Sequence, residues 1–559
     1  MNKLVLIPSA KLVPLELQNE FGQIPSAMIP LDSRPALHYI SEYYEKRGYD
    51  FLIAVHENAG EVYRYCRNHM DILDKIVDVQ KTESLGETIL CALKSLQVKP
   101  DQLVINFADT FVGDDPAEGD FIGYKFQEDV YRWTTFELDD YKNIIQINEK
   151  CTKKNANHRK LNVFVGILGI CDVSEFMIVL EQALDKPRGV EIDPFYTAVQ
   201  AYYNGIDCSR KTFQEIENWW DFGHLDTYYE TKKAISLNCR YFNHVRVDSN
   251  RGIIHKTSTD KKKLLNEIGW YLKLPKHLQY LAPRIFDYSL SFENPFIDLE
   301  FYGYPALNDM YLYGNYDIGV WNHIFQAIDN IVHDMAAYQL KPSRKADLHE
   351  AMSSMYEQKT AKRLESILED DRFTSFCHDK LAINHFPVFS LCQVLEMLPK
   401  AIERLNLYEL QHFSIIHGDL CLSNILYDHR NRIVRVIDPR GGFGKYDIYG
   451  DFRYDIAKLS HSIEGDYDFL VNGLFDLHRE NGNVLLSVHL QERHHEIKKL
   501  FKTRLLERMA VDYNHIKLIE SLLFLSMVPL HADRFRSQQA FIARGLSIFS
   551  AVARNINLS

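Results

Sequence analysis

The sequence predicts two domains in tandem: an α/β, Rossmann-like domain with a mostly parallel sheet at residues 1–235, and an α+β domain in two lobes at residues 236–559. Three observations lead to this prediction. In the first domain, nearly all-apolar runs alternate with segments of helical spacing, which is typical of a parallel sheet covered on both faces. The first lobe, about residues 236–305, favours strands and one helix. The second lobe, about residues 306–559, is predominantly helical apart from a hairpin.

Four short apolar runs define the strands expected in the first domain. They lie at residues 3–8, 50–55, 102–107 and 162–167. Segments with helix-like spacing separate several of them, for example residues 35–47. Because parallel strands need crossover connections, usually helices, this alternation predicts a parallel sheet.

Three strands and a helix are expected in the first lobe of the second domain. Residues 240–248 and 252–256 favour two strands joined by a turn, and residues 295–302 favour a third strand. Between them, residues 261–274 place several leucines and Ile268 on one side of a helix.

A loop between two apolar runs carries the most informative chemistry of the chain. Residues 413–416 form an apolar run that leads to Asp419, and Asn424 follows five residues later. A hairpin is then expected, and it returns Asp438 beside Asn424. Phosphoryl transfer needs a carboxylate that orients the attacking hydroxyl and oxygen ligands for Mg²⁺, and this arrangement offers both.

The segment 415–424, which contains His417-Gly418-Asp419, resembles the aminoglycoside phosphotransferase and choline kinase group of kinase-like enzymes. The resemblance implies that Asp419 orients or deprotonates the acceptor hydroxyl. It also implies that Asn424 and Asp438 hold Mg²⁺ and that His417 and Asp455 support the loop. The following Asp438-Pro439-Arg440-Gly441 differs from the Asp-Phe-Gly of protein kinases, which argues against a regulated protein kinase.

A kinase of this group also needs residues that bind ATP. Lys256, in the second strand of the first lobe, is placed to hold the nucleotide phosphates, and Glu267 of the next helix is its expected partner. The backbone around Tyr304 is a candidate hinge that meets the adenine. The alternative is that Lys256 is a solvated strand lysine and Glu267 an ordinary surface charge.

Several segments of the first domain resemble the sugar-nucleotide pyrophosphorylase family of nucleotidyltransferases. They are residues 28–37, 106–110, the pair Glu149-Lys150, Gly166-Ile167 and residues 220–223. The resemblance implies that Asp109 and Asp221 share a magnesium ion. It further implies that Lys150 contacts the phosphate of a sugar phosphate.

The first domain also departs from that family's pattern. The family's first loop is glycine-rich and wraps a triphosphate with backbone N–H groups, whereas residues 8–14 contain no glycine. Its Pro-Lys pair is replaced by Pro25-Ser26. Either the domain binds its nucleotide differently, through Lys11 and Arg34, or it no longer performs the transfer. CTP and UTP are the candidate nucleotides.

Composition excludes several classes of protein. The formal net charge of −12 disfavours a nucleic-acid footprint, and the 46% hydrophobic and 25% charged residues are ordinary for globular domains. Nine cysteines without Cys-x-x-Cys spacing favour reduced thiols and a cytoplasmic protein. No apolar run approaches the length of a signal peptide or a membrane span. His494 and His495 have no ligand partners at metal spacing and are expected on a helix surface.

The function expected from these features is an ATP- and Mg²⁺-dependent kinase that phosphorylates a hydroxyl of a small molecule. The acceptor stays open among a sugar, an amino sugar, glycerol and a choline-like alcohol, and so does the oligomeric state. A bifunctional chain, in which a nucleotidyltransferase activates the phosphorylated product, would fit the supply of bacterial capsule or surface polysaccharide precursors. One alternative is a kinase whose first domain only binds a sugar phosphate or nucleotide sugar. The other is a binding protein in which neither centre turns over.

Overall fold

The computed structural model describes residues 2–69, 73–128, 130–149, 160–186, 192–235, 243–248, 250–341, 344–377, 380–480, 482–509 and 511–558. The chain forms two compact units, Met1–Ser236 and Leu237–Ser559. In the part of the chain that the structure describes, every helix is too short or too polar to span a lipid bilayer.

The first unit alternates strands and helices over most of its length. Its strands are β1 Lys3–Ser9, β2 Pro30–Leu31, β3 Arg34–Pro35, β4 Asp50–Val55, β5 Ile76–Asp78, β6 Gln102–Asn106, β7 Thr110–Val112, β8 Asp120–Gln127, β9 Thr135–Leu138, β10 Ile144–Asn148, β11 Leu161–Ile170, β12 Lys211–Glu215 and β13 Trp219–Asp221. Its helices are α1 Leu15–Phe21, α2 Ala36–Glu45, α3 Ala59–His69, α4 Leu85–Lys94, α5 Val173–Leu184, α6 Pro194–Gly205 and α7 Leu225–Ile235. All four predicted strands and the predicted helix at 35–47 are therefore present.

A nine-stranded mixed sheet forms the centre of the first unit. Its main path runs β10-β9-β11-β6-β1-β4-β5, and β8 and β12 join through β11. The strands β6, β1, β4 and β5 are parallel to one another, which confirms the predicted parallel sheet for this half. Strand β11 is instead antiparallel to β6, β8 and β9, because the chain returns through short sheet strands rather than through a covering helix.

Apolar side chains on the sheet and the helices that cover it form the core of this unit. Leu6, Ile105 and Leu168 come from three adjacent central strands and are fully buried. Phe176 of α5 and Phe195 of α6 pack in the same cluster. The nearly all-apolar strands that predicted a covered sheet are explained by this burial.

The second unit begins with a sheet and continues mainly in helices. Its strands are β14 Asn243–Asp248, β15 Ile253–Ser258, β16 Ile285–Ser289, β17 Phe296–Glu300, β18 Gln339–Leu340, β19 Ala382–Ile383, β20 Phe386–Pro387, β21 Phe413–Ile415, β22 Ile425–Asp428, β23 Ile433–Val436, β24 Tyr449–Gly450, β25 Phe475–Glu480 and β26 Asn483–Val488. Its helices are α8 Lys261–Lys273, α9 Leu307–Leu312, α10 Ile318–Ala336, α11 Lys345–Met352, α12 Lys359–Leu368, α13 Leu391–Arg404, α14 Phe452–Ile463, α15 Tyr467–Val471, α16 Glu492–Phe501, α17 Tyr513–Met527 and α18 Phe535–Asn555.

An antiparallel sheet with one helix forms the beginning of the second unit. The strand order is β14-β15-β17-β16, and each pair in it is antiparallel. Helix α8 follows β15, begins at the N-cap Asp260 and buries Leu264, Ile268 and Trp270. The predicted strands and helix are present here, although residues 240–242 lie outside the described residues.

The helical remainder surrounds the predicted hairpin. Strands β22 and β23 pair in antiparallel register, as expected. Helices α11 and α12 are joined by a π-helical turn, Ser353–Gln358. Such turns are frequent at functional sites.

Candidate active site

Lys256 of β15 joins two carboxylates from distant parts of the second unit. Its Nζ donates to Glu267 Oε1 and Oε2 at 2.8 and 2.9 Å, and to Asp438 Oδ1 at 2.9 Å. Lys256 is 4% exposed and Glu267 is 5% exposed. The sheet therefore presents one lysine to both the helix α8 and the segment that follows β23.

Burial and charge act against each other in this cluster. Burial opposes ionisation of Lys256, but Asp438 and Glu267 outweigh it and raise the pKa of the lysine. Burial raises the pKa of Glu267 to about 7, despite the adjacent ammonium group. Asp438 keeps about half of its side chain exposed, so one carboxylate of the cluster faces solvent.

The loop between β21 and β22 brings Asp419, Asn424 and Asp438 together. Asn424 Nδ2 donates to the carbonyl oxygen of Asp419 at 2.8 Å. Ile437 N donates to the carbonyl oxygen of Asn424 at 3.0 Å, which places Asp438 next to it. Asp438 has a φ of 57°, a left-handed conformation that few non-glycine residues adopt and that is typical of functional sites.

Asp455, in the first turn of α14, holds the start of this loop. Its carboxylate accepts hydrogen bonds from the backbone N–H groups of His417 at 2.7 Å and Gly418 at 2.8 Å. Burial raises the pKa of Asp455 to about 7. Burial also lowers the pKa of His417 to about 4, so this fully buried imidazole is neutral and packs edge-on against Trp270.

Helix α8 is attached to the same loops at several points. Trp270 Nε1 donates to the carbonyl oxygen of Ile416 at 2.7 Å, and Asp438 N donates to the hydroxyl of Tyr271 at 3.2 Å. Gly441, with a φ of 62°, approaches the helix so closely that a Cβ there would lie 1.9 Å from the carbonyl oxygen of Asn266. The helix that carries Glu267 and the loop that carries Asp438 are thus fixed to one another.

Tyr304 lies in the connection between β17 and α9. Its ring stacks on Tyr302 with centroids 5.5 Å apart, and Arg435 lies over Tyr302 at 5.9 Å. The next residue, Pro305, accepts a hydrogen bond from Tyr427 N at 3.0 Å, which attaches the connection to β22. The connection therefore lies between the antiparallel sheet and the β22–β23 hairpin, in the segment where a hinge was predicted.

Asn424 and Asp438 have the donor atoms that Mg²⁺ prefers. Asn424 is buried and uses its amide nitrogen for Asp419, and no described residue hydrogen-bonds to its Oδ1. Asp438 supplies a half-exposed carboxylate. Mg²⁺ is often bound by one or two protein oxygens together with substrate phosphates, and this pair offers two such oxygens.

Sequence reasoning missed a lysine that contacts the candidate catalytic aspartate. Lys458 of α14 lies 2.7 Å from Asp419 Oδ1, and both side chains are largely buried. Burial opposes ionisation of Lys458, but Asp419 outweighs it and raises the pKa of the lysine. The available signal was the helical spacing, because Lys458 is one turn after Asp455 and shares its side of α14.

The first unit brings Asp109 and Asp221 to one place. Asp221 ends β13, where it pairs with Thr110 of β7, and Phe222 N donates to the carbonyl oxygen of Asp109 at 3.0 Å. Burial raises the pKa of Asp221, whose Oδ2 accepts from Trp133 Nε1 at 3.2 Å. Trp133 was not singled out by the sequence, since it lies 88 residues from Asp221.

Two glycines make room at this place. A Cβ on Gly223 would lie 2.7 Å from Asp109 Oδ2, so only glycine leaves that carboxylate in position. Gly166 has a φ of 83° inside β11, and a Cβ there would lie 2.8 Å from Thr110 Cγ2.

Glu149, the first residue of the predicted Glu-Lys pair, accepts a hydrogen bond from Asp193 N at 2.6 Å. Its neighbour Lys150 lies outside the described residues.

Lys11 and Arg34, the cations expected to bind the nucleotide in place of a glycine-rich loop, contact other atoms of the protein. Lys11 Nζ donates to the carbonyl oxygen of Glu83 at 3.3 Å. Arg34 contacts the ring of His38, and burial lowers the pKa of His38 to about 4.

The expectation that both histidines of the 494–495 pair lie at a surface was wrong for His494. It is fully buried at the start of α16. Its Nδ1 accepts from Gln491 N and its Nε2 donates to the carbonyl oxygen of Tyr311, each at 2.9 Å. Both ring nitrogens are satisfied, which explains how the ring can be buried.

No protein-family model and no curated protein sequence matches the chain. Solved structures are similar to its N-terminal part. A nucleoside-diphosphate-sugar pyrophosphorylase from Vibrio cholerae RC9 is 14% identical over 41% of this chain and 99% of its own, with a TM-score of 0.34. The CTP:phosphocholine cytidylyltransferase of Streptococcus pneumoniae is 13% identical over 42% and 100%, with a TM-score of 0.33. The inositol-1-phosphate CTP transferase of T. maritima is 10% identical over 43% and 98%, with a TM-score of 0.31.

Proposed function

We propose that the second unit is a kinase that transfers the γ-phosphoryl group of ATP to a hydroxyl of a small molecule. One observation carries the proposal: Lys256 contacts both Glu267 and Asp438 within 2.9 Å. A strand lysine fixed by a helix glutamate and placed beside a metal-binding aspartate is the arrangement that kinases use for nucleotide phosphates.

Each part of the transfer has a residue suited to it. Asp419 accepts the proton of the acceptor hydroxyl. The oxygen of that hydroxyl forms a bond to the γ-phosphorus, while the bond between the γ-phosphorus and the leaving oxygen of ADP breaks. Asn424 and Asp438 would hold Mg²⁺, which supplies charge neutralisation on the phosphates when it is bound. The Lys458 ammonium, 2.7 Å from Asp419, keeps that carboxylate in place and adds positive charge near the reacting group.

Replacement of Asp419 by asparagine tests this proposal. Asn keeps the shape of the side chain but cannot accept the hydroxyl proton, so we expect ATP binding to persist while turnover falls on the order of 100-fold or more. The measurement is Mg²⁺-dependent ADP release with a panel of sugars, amino sugars, glycerol and choline. Near-normal turnover in the variant would reject Asp419 as the catalytic base. Asp371→Asn is the control, since Asp371 is an exposed aspartate of the same unit that contacts none of the candidate site residues.

For the first unit, the proposal is a nucleotidyltransferase that joins the phosphorylated product to CTP or UTP. The convergence of Asp109 and Asp221 beside Gly223 supports it, because two carboxylates at one sheet edge suit a shared Mg²⁺. The two steps together would supply an activated building block for a capsule or another surface polysaccharide.

The competing proposal for the first unit is a domain that binds a sugar phosphate or nucleotide sugar without turnover. Lys11 and Arg34, the cations expected for a triphosphate, contact protein atoms instead, which favours this reading. Metal-dependent pyrophosphate release that Asp109→Ala abolishes would exclude it.

A further inference from the structure

Four basic side chains of the second unit lie on elements that adjoin Asp419 or Tyr454. Lys458 of α14 pairs with Asp419 at 2.7 Å. Arg440 is adjacent to the catalytic loop, because a Cβ built on Gly418 would lie 2.8 Å from the Cβ of Arg440. Lys359 and Arg363 are four residues apart on α12 and therefore share one face of that helix.

Contacts with Tyr454 connect α12 to the catalytic loop. The ring of Tyr356, in the π-helical turn before α12, lies 6.2 Å from the ring of Tyr454. Arg440 donates from its guanidinium to the hydroxyl of Tyr454 at 3.0 Å. Consistent with this proximity, burial and then Arg440 lower the pKa of Lys359 well below the usual lysine value, with smaller contributions from Arg363 and Lys458.

The positive charge of this cluster exceeds what the protein balances. Arg440 donates to a neutral hydroxyl, and Arg363 donates to the carbonyl oxygen of Ser526 at 2.5 Å. Among the residues that the structure describes, Lys359 has no hydrogen-bond or ion-pair partner. Of the carboxylates that the structure describes, only Asp419 is in direct contact with the group, through Lys458. The arginines keep their charge without a carboxylate partner, and the lowered pKa of Lys359 reflects this unbalanced positive field. An anion bound here would offset the field and favour the protonated lysine, as is typical of an anion-binding site.

We propose that the hydroxyl compound phosphorylated at Asp419 carries a carboxylate or phosphate group, and that Lys359, Arg363 and Arg440 bind this group. The inference rests on the kinase function proposed above and specifies its acceptor class. It disfavours choline-like acceptors, since their cation would meet like charges. Bidentate recognition of an oxyanion by arginine, supported by a lysine, suits either a sugar acid or a sugar phosphate.

Two anions could meet these cations: the charged group of the acceptor, or the γ-phosphoryl group of ATP. The position of α12 favours the acceptor. The ATP phosphates have Lys256 and the Asn424–Asp438 pair on the side of the antiparallel sheet. Arg363 instead reaches the backbone of Ser526 at the end of α17. A binding site for the second substrate is therefore expected between Asp419 and α12.

The experiment compares acceptors that differ in charge, using the full chain with ATP and Mg²⁺. Glycerol is compared with D-glycerate and glycerol 3-phosphate, glucose with gluconate and glucose 6-phosphate, and choline serves as the cationic acceptor. The variants are Lys359→Gln and its control Lys362→Gln, an exposed lysine on the same helix. We expect an anionic acceptor to stimulate ADP release most. We expect Lys359→Gln to lower its kcat/KM by about 10- to 100-fold, mainly through KM, with the KM for ATP unchanged.

Other results would overturn the inference. If a neutral or cationic acceptor is used more efficiently than the anionic ones, and Lys359→Gln and Lys362→Gln have the same kinetics, the kinase acts on a different acceptor class. An equal loss of kcat with every acceptor in Lys359→Gln assigns the lysine to the γ-phosphoryl group of ATP instead.

A binding measurement decides the matter if no acceptor in the panel is turned over. Calorimetric titration of D-glycerate and inorganic phosphate, with ADP and Mg²⁺ present, should show binding in wild type and Lys362→Gln that is lost in Lys359→Gln. No Lys359-dependent binding rejects the anion site. Failure of the kinase proposal has a separate signature, which is ADP release unaffected by Asp419→Asn.

Discussion

Lys256 illustrates how single residues set the electrostatics of the candidate active site. The net free energy of a buried pair of one ammonium and one carboxylate is close to zero, because the loss of hydration offsets most of their attraction. Here two carboxylates meet one lysine, so the cluster carries one excess negative charge when all three groups are ionised. The half-exposed Asp438 is the member that a divalent cation can reach. The imbalance is thus suited to a site that is completed by a metal ion and a nucleotide.

Replacing Lys256 by alanine removes the only ammonium group that contacts Glu267 among the described residues. We expect the KM for ATP to rise and kcat to fall, together about 10- to 100-fold, because the phosphates lose their positioning charge. Steady-state kinetics with varied ATP provide the measurement. Lys262→Ala, at an exposed position of α8, is the control. Unchanged kinetics in Lys256→Ala would mean that another residue holds the phosphates.

At the scale of elements, the sequence predicted local structure well and long-range neighbours poorly. The predicted strands, α8 and the hairpin β22–β23 follow from periodicity and turn residues, which are local signals. The antiparallel direction of β11 depends on where the chain returns, and no local pattern encodes it. The sequence could not assign Lys359 to the site near Asp419 for the same reason, since Lys359 lies sixty residues before Asp419 on a helix with no recognisable motif.

The connection between β13 and α7 tests the candidate site of the first unit. A methyl group in Gly223→Ala would overlap Asp109 Oδ2, so the carboxylate must move or the connection must shift. We expect a loss of about 1 to 3 kcal/mol of stability and weaker Mg²⁺ binding. Thermal unfolding with and without Mg²⁺ checks both effects.

Gly205→Ala is the matched control, because a Cβ at that exposed position would meet nothing within 4 Å. Equal melting temperatures and equal Mg²⁺ effects in the two glycine variants would show that the Asp109 carboxylate needs no such space.

At the scale of the whole molecule, the chain combines two units that each have a core and a carboxylate pair. Asp109 and Asp221 belong to Met1–Ser236, whereas Asp419 and Asp438 belong to Leu237–Ser559. Each centre is assembled within one unit, so the two proposed reactions need not share catalytic residues. The order of the reactions follows from their chemistry, because a nucleotidyltransferase consumes the phosphate ester that a kinase makes.

This separation predicts that each activity can be removed alone. Asp419→Asn should abolish phosphorylation but leave pyrophosphate release intact when the phosphorylated compound is supplied. Asp109→Ala should stop pyrophosphate release and leave ADP release near the wild-type rate. Parallel assays of ADP and pyrophosphate measure both. Loss of both activities in either variant, with the protein folded, would contradict independent centres.

The attachment of α8 has a consequence for control of the second unit. Trp270 fastens this helix to Ile416, just before the loop that carries Asp419. Tyr271 and the close contact of Gly441 with Asn266 fasten it to the segment around Asp438. Swinging the helix outward, a common way to switch kinases off, would break two hydrogen bonds and expose Trp270, which is buried. We therefore expect α8 to keep its position whether or not substrates are bound. The reaction rate of the second unit should then depend on substrate concentration and protein abundance, and not on a displacement of this helix.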